Sequence, residues 1–207
     1  MSLRLWTLQR PCIADALAER GQVFAADPED PSDRSDSGAP AHRWIAAQLA
    51  HRLKATEIRV PFWAWDMRRC PRLNQLHVAN SSLIRIELEA PRELVLLSQF
   101  HLWEHALCGA YIAADKDDED RLEGLDERGE LTEEIVNGTW ARALDLEFGA
   151  EAHWGPARSR WIQACLPYLD QSWVVSIRRV HQIRLGGTVR SMALSWTTAH
   201  RCENARK

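Results

Sequence analysis

The spacing of apolar positions changes several times along this chain, and each change predicts an element. Leu3 to Leu8 alternates loosely and carries Leu, Trp and Thr, which predicts a strand. Pro11 suits the first turn of a helix, Ile13 and Leu17 give that helix a short apolar stripe, and Gly21 stops it. Residues 26–41 are rich in Asp, Pro and Ser and predict a flexible loop. A second helix follows over Ala41 to Leu53, with Trp44, Ile45, Leu49 and Leu53 on one stripe. Ile58 to Trp65 reads as the second strand. Its end, Pro61-Phe62-Trp63-Ala64-Trp65, puts both indoles on one face, before Asp66 closes the run.

The second half continues the alternation of periods. Ser82 to Glu89 predicts a half-buried strand, with Ile84, Ile86 and Leu88 on one side and Leu83, Arg85, Glu87 and Glu89 on the other; Pro91 ends it. Leu94 to Leu97 is short and apolar. Ser98 is placed to cap a helix running to Tyr111, with Phe100, Trp103, Leu107, Ala110 and Tyr111 towards the core. Residues 115–130 read as an acidic, mobile insertion. Thr132 caps a further helix to Leu146, weakened at Asn137-Gly138. Trp161 to Leu169 and Trp173 to Ile183 read as two paired strands joined at Asp170-Gln171, and Gly186-Gly187 opens a C-terminal extension, 186–207, that frays. Together these elements predict one α+β domain over residues 1–185, with a mixed or antiparallel sheet, flanking helices, and mobile loops at 26–41 and 115–130.

Composition narrows the function classes. The net charge of −3 and pI near 6.2 argue against wholesale binding to a nucleic-acid backbone. The local stripe of Arg178, Arg179, Arg184 and Arg190 reads as a solvated strand face. The five cysteines are dispersed and form no C-x-x-C, which predicts free thiols in a reducing compartment. Arg4 and Gln9 interrupt the apolar opening, so no signal peptide is expected, and no stretch approaches a membrane span. The expected location is the cytoplasm. Ten Trp against two Tyr and four Phe point to a core built from large plates, or to a site that stacks a flat ligand.

One motif has a chemical reading. His101-Leu102-Trp103-Glu104-His105 matches H-x-x-E-H, in which two His hold a metal beside a catalytic Glu. Cys108 would share that helix face. The stripe lies opposite Phe100, Trp103 and Leu107, and no downstream Glu is fixed as a third ligand, so a solvated helix face is preferred, with a zinc metallopeptidase as the alternative, and no metal is expected. The chain has no P-loop, G-x-G-x-x-G or G-x-S-x-G. Cys70 follows Arg68 and Arg69, but no His is tied to it by sequence. Asp117-Asp118-Glu119-Asp120 lacks the spaced ligands and turn Gly of a calcium loop.

Several segments, in order, carry a resemblance: Arg4-Leu5-Trp6-Thr7-Leu8-Gln9, Pro61-Phe62-Trp63-Ala64-Trp65, Leu96-Leu97-Ser98-Gln99-Phe100-His101-Leu102-Trp103, Trp140 with Leu144-Asp145-Leu146, Ile162-Gln163-Ala164 and Trp173-Val174. Over residues 3–181 the chain resembles DUF3841, a bacterial domain family of unknown function. The resemblance implies no activity, substrate or cofactor. In the family pattern the position of Gln99 is acidic and His is not required at 101 and 105, which makes the H-x-x-E-H match particular to this sequence.

Two function classes follow. In the first, a small molecule or nucleotide, NAD among the candidates, binds where the aromatic strand ends meet: Arg4, Trp6, Gln9, Trp63, Trp65 and Asp66, with Ser98 and Trp103 close by. Arg4 would hold a phosphate, the indoles a flat ring, and the helix N-terminus after Ser98 an anion. An ADP-ribosyl-transferase-like version casts Arg4, the strand at Trp63, and Glu147 or Gln163 in the leading roles, by analogy of fold. In the second class the Trp residues are core, and the acidic segment 115–130 meets a protein partner.

Overall fold

A computed structural model describes residues 1–25, 39–54, 58, 60–72, 83–149 and 161–180. The expectations for the loop 26–38, for 181–183 and for the extension 186–207 lie outside the described residues.

The first strand, β1 (Ser2–Gln9), is followed by α1 (Pro11–Arg20). Pro at the first helical position gives up no hydrogen bond there, and Ile13 and Leu17, one turn apart, are the buried pair. Gly21 ends the helix at φ 73°, where its N–H donates to the Leu17 carbonyl at 2.9 Å. Any other residue would pay for that left-handed turn. The chain continues through β2 (Gln22–Phe24), α2 (Ala39–Leu53), β3 (Phe62–Asp66), β4 (Ile84–Pro91), β5 (Leu96–Gln99), α3 (Phe100–Leu107), α4 (Lys116–Glu127), α5 (Glu133–Thr139), β6 (Ile162–Leu166), β7 (Tyr168–Asp170) and β8 (Val174–Arg179). Short 3-10 turns sit at Arg92–Leu94, Trp140–Leu144 and Gln171–Trp173.

Six strands form one antiparallel sheet in the order β5-β6-β3-β1-β4-β8, and β2 pairs with β7 beside it. The fold is α+β. Strand alternation gives the sheet two unlike faces. The aliphatic face carries Leu3, Leu5, Phe62, Ala64, Ile84, Ile86, Leu88, Leu97, Ile162 and Ala164, packed with Ile13 and Leu17 of α1 and with Val23 and Leu169 of the small sheet. The aromatic face carries two clusters. Trp63, Leu96 and Cys165 pack under α2, α3 and the Trp140–Leu144 turn, whereas Trp6 and Trp65 pack with Phe100, Trp161, Met67 and Cys70.

The structure corrects several expectations. Ser98 does not cap α3. It is the third residue of β5, the helix starts at Phe100 after Gln99, and no side chain caps it. The helix also ends at Leu107, so Ala110 and Tyr111 lie beyond it. The acidic segment is not a loop, because 116–127 is a helix. Asp115 caps it by accepting the Asp118 N–H at 2.8 Å, and three acidic residues in the first turn complement its dipole. Leu122 is its one buried contact. The two C-terminal strands do not pair with each other. β6 lies between β3 and β5, β7 joins β2, and β8 runs along β4 at the sheet edge. The helix begun at Thr132 tightens to 3-10 from Trp140, two residues after Gly138. The free-thiol reading holds for Cys70, Cys108 and Cys165 but not for Cys12, which is disulfide-bonded.

Candidate functional site

Strand register aligns one transverse row on the aromatic face. Ser98 on β5 faces Gln163 on β6, Gln163 faces Trp65 on β3, and Trp65 faces Trp6 on β1. Trp6 then faces Glu87 on β4, and Glu87 faces Ser176 on β8. The row therefore crosses all six strands, with two indoles at its centre and polar side chains on either flank. The indole centroids are 6.3 Å apart and tilted by 34°. Phe100 at 5.0 Å and Trp161 at 6.2 Å meet Trp65 edge-on, an arrangement that ring quadrupoles favour. The Arg85 guanidinium lies over the Trp6 ring, 4.8 Å from its centroid, and pairs with Glu87 at 3.1 Å.

Four polar atoms of this row are buried with no hydrogen-bond partner among the described residues: Trp6 Nε1, Gln163 Nε2, Ser98 Oγ and Ser176 Oγ. Arg85 Nε, beside the row, is a fifth. Buried polar groups are nearly always paired, and an unpaired one costs about 1–3 kcal/mol. Away from the row, Asn137 Oδ1 is the one other such atom among the described residues, and other buried polar groups are paired. Trp140 Nε1 donates to the Ala110 carbonyl at 2.8 Å. Gln99 Nε2 donates to the carbonyls of Asp145 at 2.6 Å and Phe148 at 3.0 Å. Thr139 accepts from the Ile112 N–H and donates to the Val136 carbonyl. Five of the six unpaired atoms among the described residues thus lie on or beside one line.

The residues singled out from sequence fall in three places. Trp6, Trp65 and Ser98 are in the row. Arg4 shares the aromatic face but is 60% exposed and sits 3.6 Å from Glu89, its cross-strand partner. Trp63 and Trp103 meet at a tilt of 36° with centroids 5.1 Å apart under α2, in the neighbouring cluster. Gln9 and Asp66 do not join them. Gln9 donates to Thr7 Oγ1, and buried Asp66 alternates to the face opposite Trp65, where it accepts from the Arg68 N–H at 2.9 Å. Nor does the sheet gather Arg4 with Glu147. The 145–148 turn is tied to β5, and two strands separate β5 from β1. Arg85, Glu87 and Ser176 were missed as site residues. The alternation of β4 showed that Arg85 and Glu87 share a face, but only register shows which strand they meet.

The histidine motif takes a structural part. His101 Nδ1 lies 3.5 Å from Glu104, and its ring packs 5.2 Å from Trp161. Burial pushes the His105 pKa down, against the opposing pull of Glu104. Among the described residues no group of three or more His, Cys, Asp or Glu side chains is close enough to hold a metal ion. Cys165, fully buried against Trp63, has its thiol pKa pushed well up by burial. No helix among the described residues is long and apolar enough to cross a membrane.

The fold and row define an α+β domain with an aromatic, polar-flanked sheet face. The chain belongs to the DUF3841 family, a domain of unknown function, whose model matches residues 4–148. The match takes in β1 to α5 and the turn after it. β6 and β8, with Gln163 and Ser176, lie beyond it. No curated protein and no solved structure matches the chain.

Proposed function

We propose that this domain binds a small molecule with a flat heteroaromatic ring, of the nucleotide class, on the Ser98–Gln163–Trp65–Trp6 row. The observation that carries the reading is the set of unpaired buried atoms: Trp6 Nε1 and Gln163 Nε2 are donors, and Ser98 Oγ both donates and accepts. A heteroaromatic ring offers acceptors and donors along its edge and apolar faces for the indoles, so it answers both halves of the row's chemistry. Trp6 and Trp65 are each 1% exposed, so a ligand reaches them only by displacing a side chain. Arg85, 23% exposed and resting on Trp6, is the one placed to move, because its long chain can turn outward to solvent.

The test is a thermal-shift screen of the full chain against nucleosides, nucleotides and NAD, repeated with Gln163→Met. A ligand present at a hundred times its dissociation constant adds about 2.7 kcal/mol of stability. The expected result is a shift with at least one ring compound that Gln163→Met reduces. A hit unaffected by Gln163→Met places binding elsewhere and ends the proposal.

A further inference from the structure

Arg85 and Arg178 face each other directly across β4 and β8, two residues along the strands from the Trp6–Glu87–Ser176 part of the row. Like charges opposite one another on a sheet are destabilising. Glu87 answers Arg85 at 3.1 Å, but among the described residues Arg178 has no acidic partner and stands exposed. Arg85 Nε is also buried without a partner. Two guanidiniums on adjacent strands, one with an unused donor and one with no acidic partner among the described residues, offer an anion a bridging position. Guanidiniums suit phosphate in particular, because their forked donors match its oxygens.

We propose that Arg85 and Arg178 form the phosphate subsite of the ligand whose ring occupies the row. This rests on the ring-binding reading above and adds what the ligand must carry. It also supplies the movement that reading needs. An anion between the two arginines draws the Arg85 guanidinium off the Trp6 indole, and the same step uncovers the ring floor. Phosphate capture and ring docking are then coupled through one side chain. The net charge of −3 does not attract anions to the chain as a whole, so capture depends on this local pair.

The experiment titrates the full chain with inorganic pyrophosphate, adenosine and adenosine monophosphate, following melting temperature and heat of binding. It compares the wild type with Arg178→Ala, Arg178→Glu and Arg179→Ala. Both arginines on β8 are exposed, so none of these variants threatens folding, and Arg179 pairs across to Ile84, off the aromatic face. The expected result is that pyrophosphate raises the melting temperature of the wild type and of Arg179→Ala but not of Arg178→Glu. Arg178→Ala should weaken adenosine monophosphate by about tenfold or more while leaving adenosine unchanged, as befits the loss of a charged hydrogen bond. Pyrophosphate binding that survives both Arg178 variants overturns the subsite. Adenosine binding with no gain from the added phosphate overturns it too, and leaves the ring reading intact. Pyrophosphate binding that needs Arg178, with adenosine monophosphate inert, upholds the subsite and removes the adenine ring from the row.

Discussion

On the aliphatic face Leu5, Ile86 and Leu88 are 0–1% exposed and carry no side-chain polar atom. Through the sheet, Trp6, Ser98 and Gln163 are just as enclosed and carry three that find no partner. Both faces are built on the same strands, often on adjacent residues, so backbone quality does not separate them. Leu5 and Trp6 are neighbours in β1, and Gln163 and Ala164 are neighbours in β6. The difference is in what the burial accomplishes. The first face gains from every contact. The second carries a cost that only an outside hydrogen-bonding group can relieve, the kind of local inconsistency that functional sites show.

The largest effects should come from the rings and branched chains that fill either face. Trp65→Ala removes a side chain packed against Trp6, Phe100 and Trp161 and should cost about 3–5 kcal/mol. Leu5→Ala should cost about 2–5 kcal/mol. Chemical denaturation gives both numbers. A Trp65→Ala cost below about 1 kcal/mol would mean that the aromatic face contributes little packing, and that its rings serve ligand contact alone.

Gln99 and Gln163 put the comparison in one residue type. Each is 1% exposed, and their strands are paired, yet only Gln99 has its amide nitrogen satisfied. Replacing each with Met keeps length and volume. Gln99→Met removes its bonds to the Asp145 and Phe148 carbonyls and should lose about 1–3 kcal/mol. Gln163→Met removes an unpaired donor and should leave stability unchanged or raise it by about 1 kcal/mol, while abolishing ligand binding. Equal losses in both variants would show that Gln163 is an ordinary satisfied core residue and would break the contrast between the faces.

A control outside both faces is the link from α4 to the Trp140–Leu144 turn, where Asp118 lies 2.6 Å from Arg142 and 2.7 Å from Arg121. Burial pushes the Asp118 carboxyl up, but the Ala114 N–H and the two arginines outweigh it and hold its pKa down to about 2. Its folded pKa is below the ordinary value, so it stabilises the fold above about pH 4 and loses that contribution as pH falls towards 2. Asp118→Asn should cost about 1–2 kcal/mol at neutral pH and flatten the acid limb of the stability profile between those values. A profile unchanged in the variant would remove Asp118 from the link. The same limb should persist in Gln163→Met, whose row contains no part of this cluster.

The sequence was most legible where local chemistry alone decides. Pro11 and Gly21 marked both ends of α1, and the alternation from Ile84 to Leu88 identified the buried side of β4. The aromatic strand at Trp63 and Trp65 was plain, and the meeting of Trp6 with Trp65 was a guess about strand neighbours that the β1–β3 register matches. What stayed hidden depends on pairing between distant strands. β6 and β8 are separated by only seven residues, which suggested a hairpin, yet three strands intervene between them in the sheet. Ser98 fits a helix cap by residue type, but a single step places it in β5, opposite Gln163. Asp115–Glu130 looked mobile because it is strongly charged, whereas its cap, first-turn acids and Asp118 ion pairs make a helix of it. The site's outer members, Arg85, Glu87 and Ser176, join the row only through register, which no single segment encodes.

The smallest expected effect falls on Arg4, the residue that sequence reasoning cast as the phosphate holder. Its guanidinium meets Glu89 at 3.6 Å with both side chains more than half exposed, so water and salt screen the pair. Arg4→Ala should change stability by no more than about 0.5 kcal/mol. Its effect on binding is the sharper measurement. Arg4 shares the face of Trp6 but stands two residues along β1, opposite Glu89, whereas Arg85 rests on the Trp6 ring itself. A phosphate beside the indole is therefore within the reach of Arg85 before that of Arg4, and Glu89 already occupies Arg4. Pyrophosphate titration of Arg4→Ala should give an affinity within about threefold of the wild type, against the tenfold or greater loss expected for Arg178→Ala. An Arg4→Ala loss as large as that of Arg178→Ala would move the anion along the aromatic face, away from β8 and towards the start of β1.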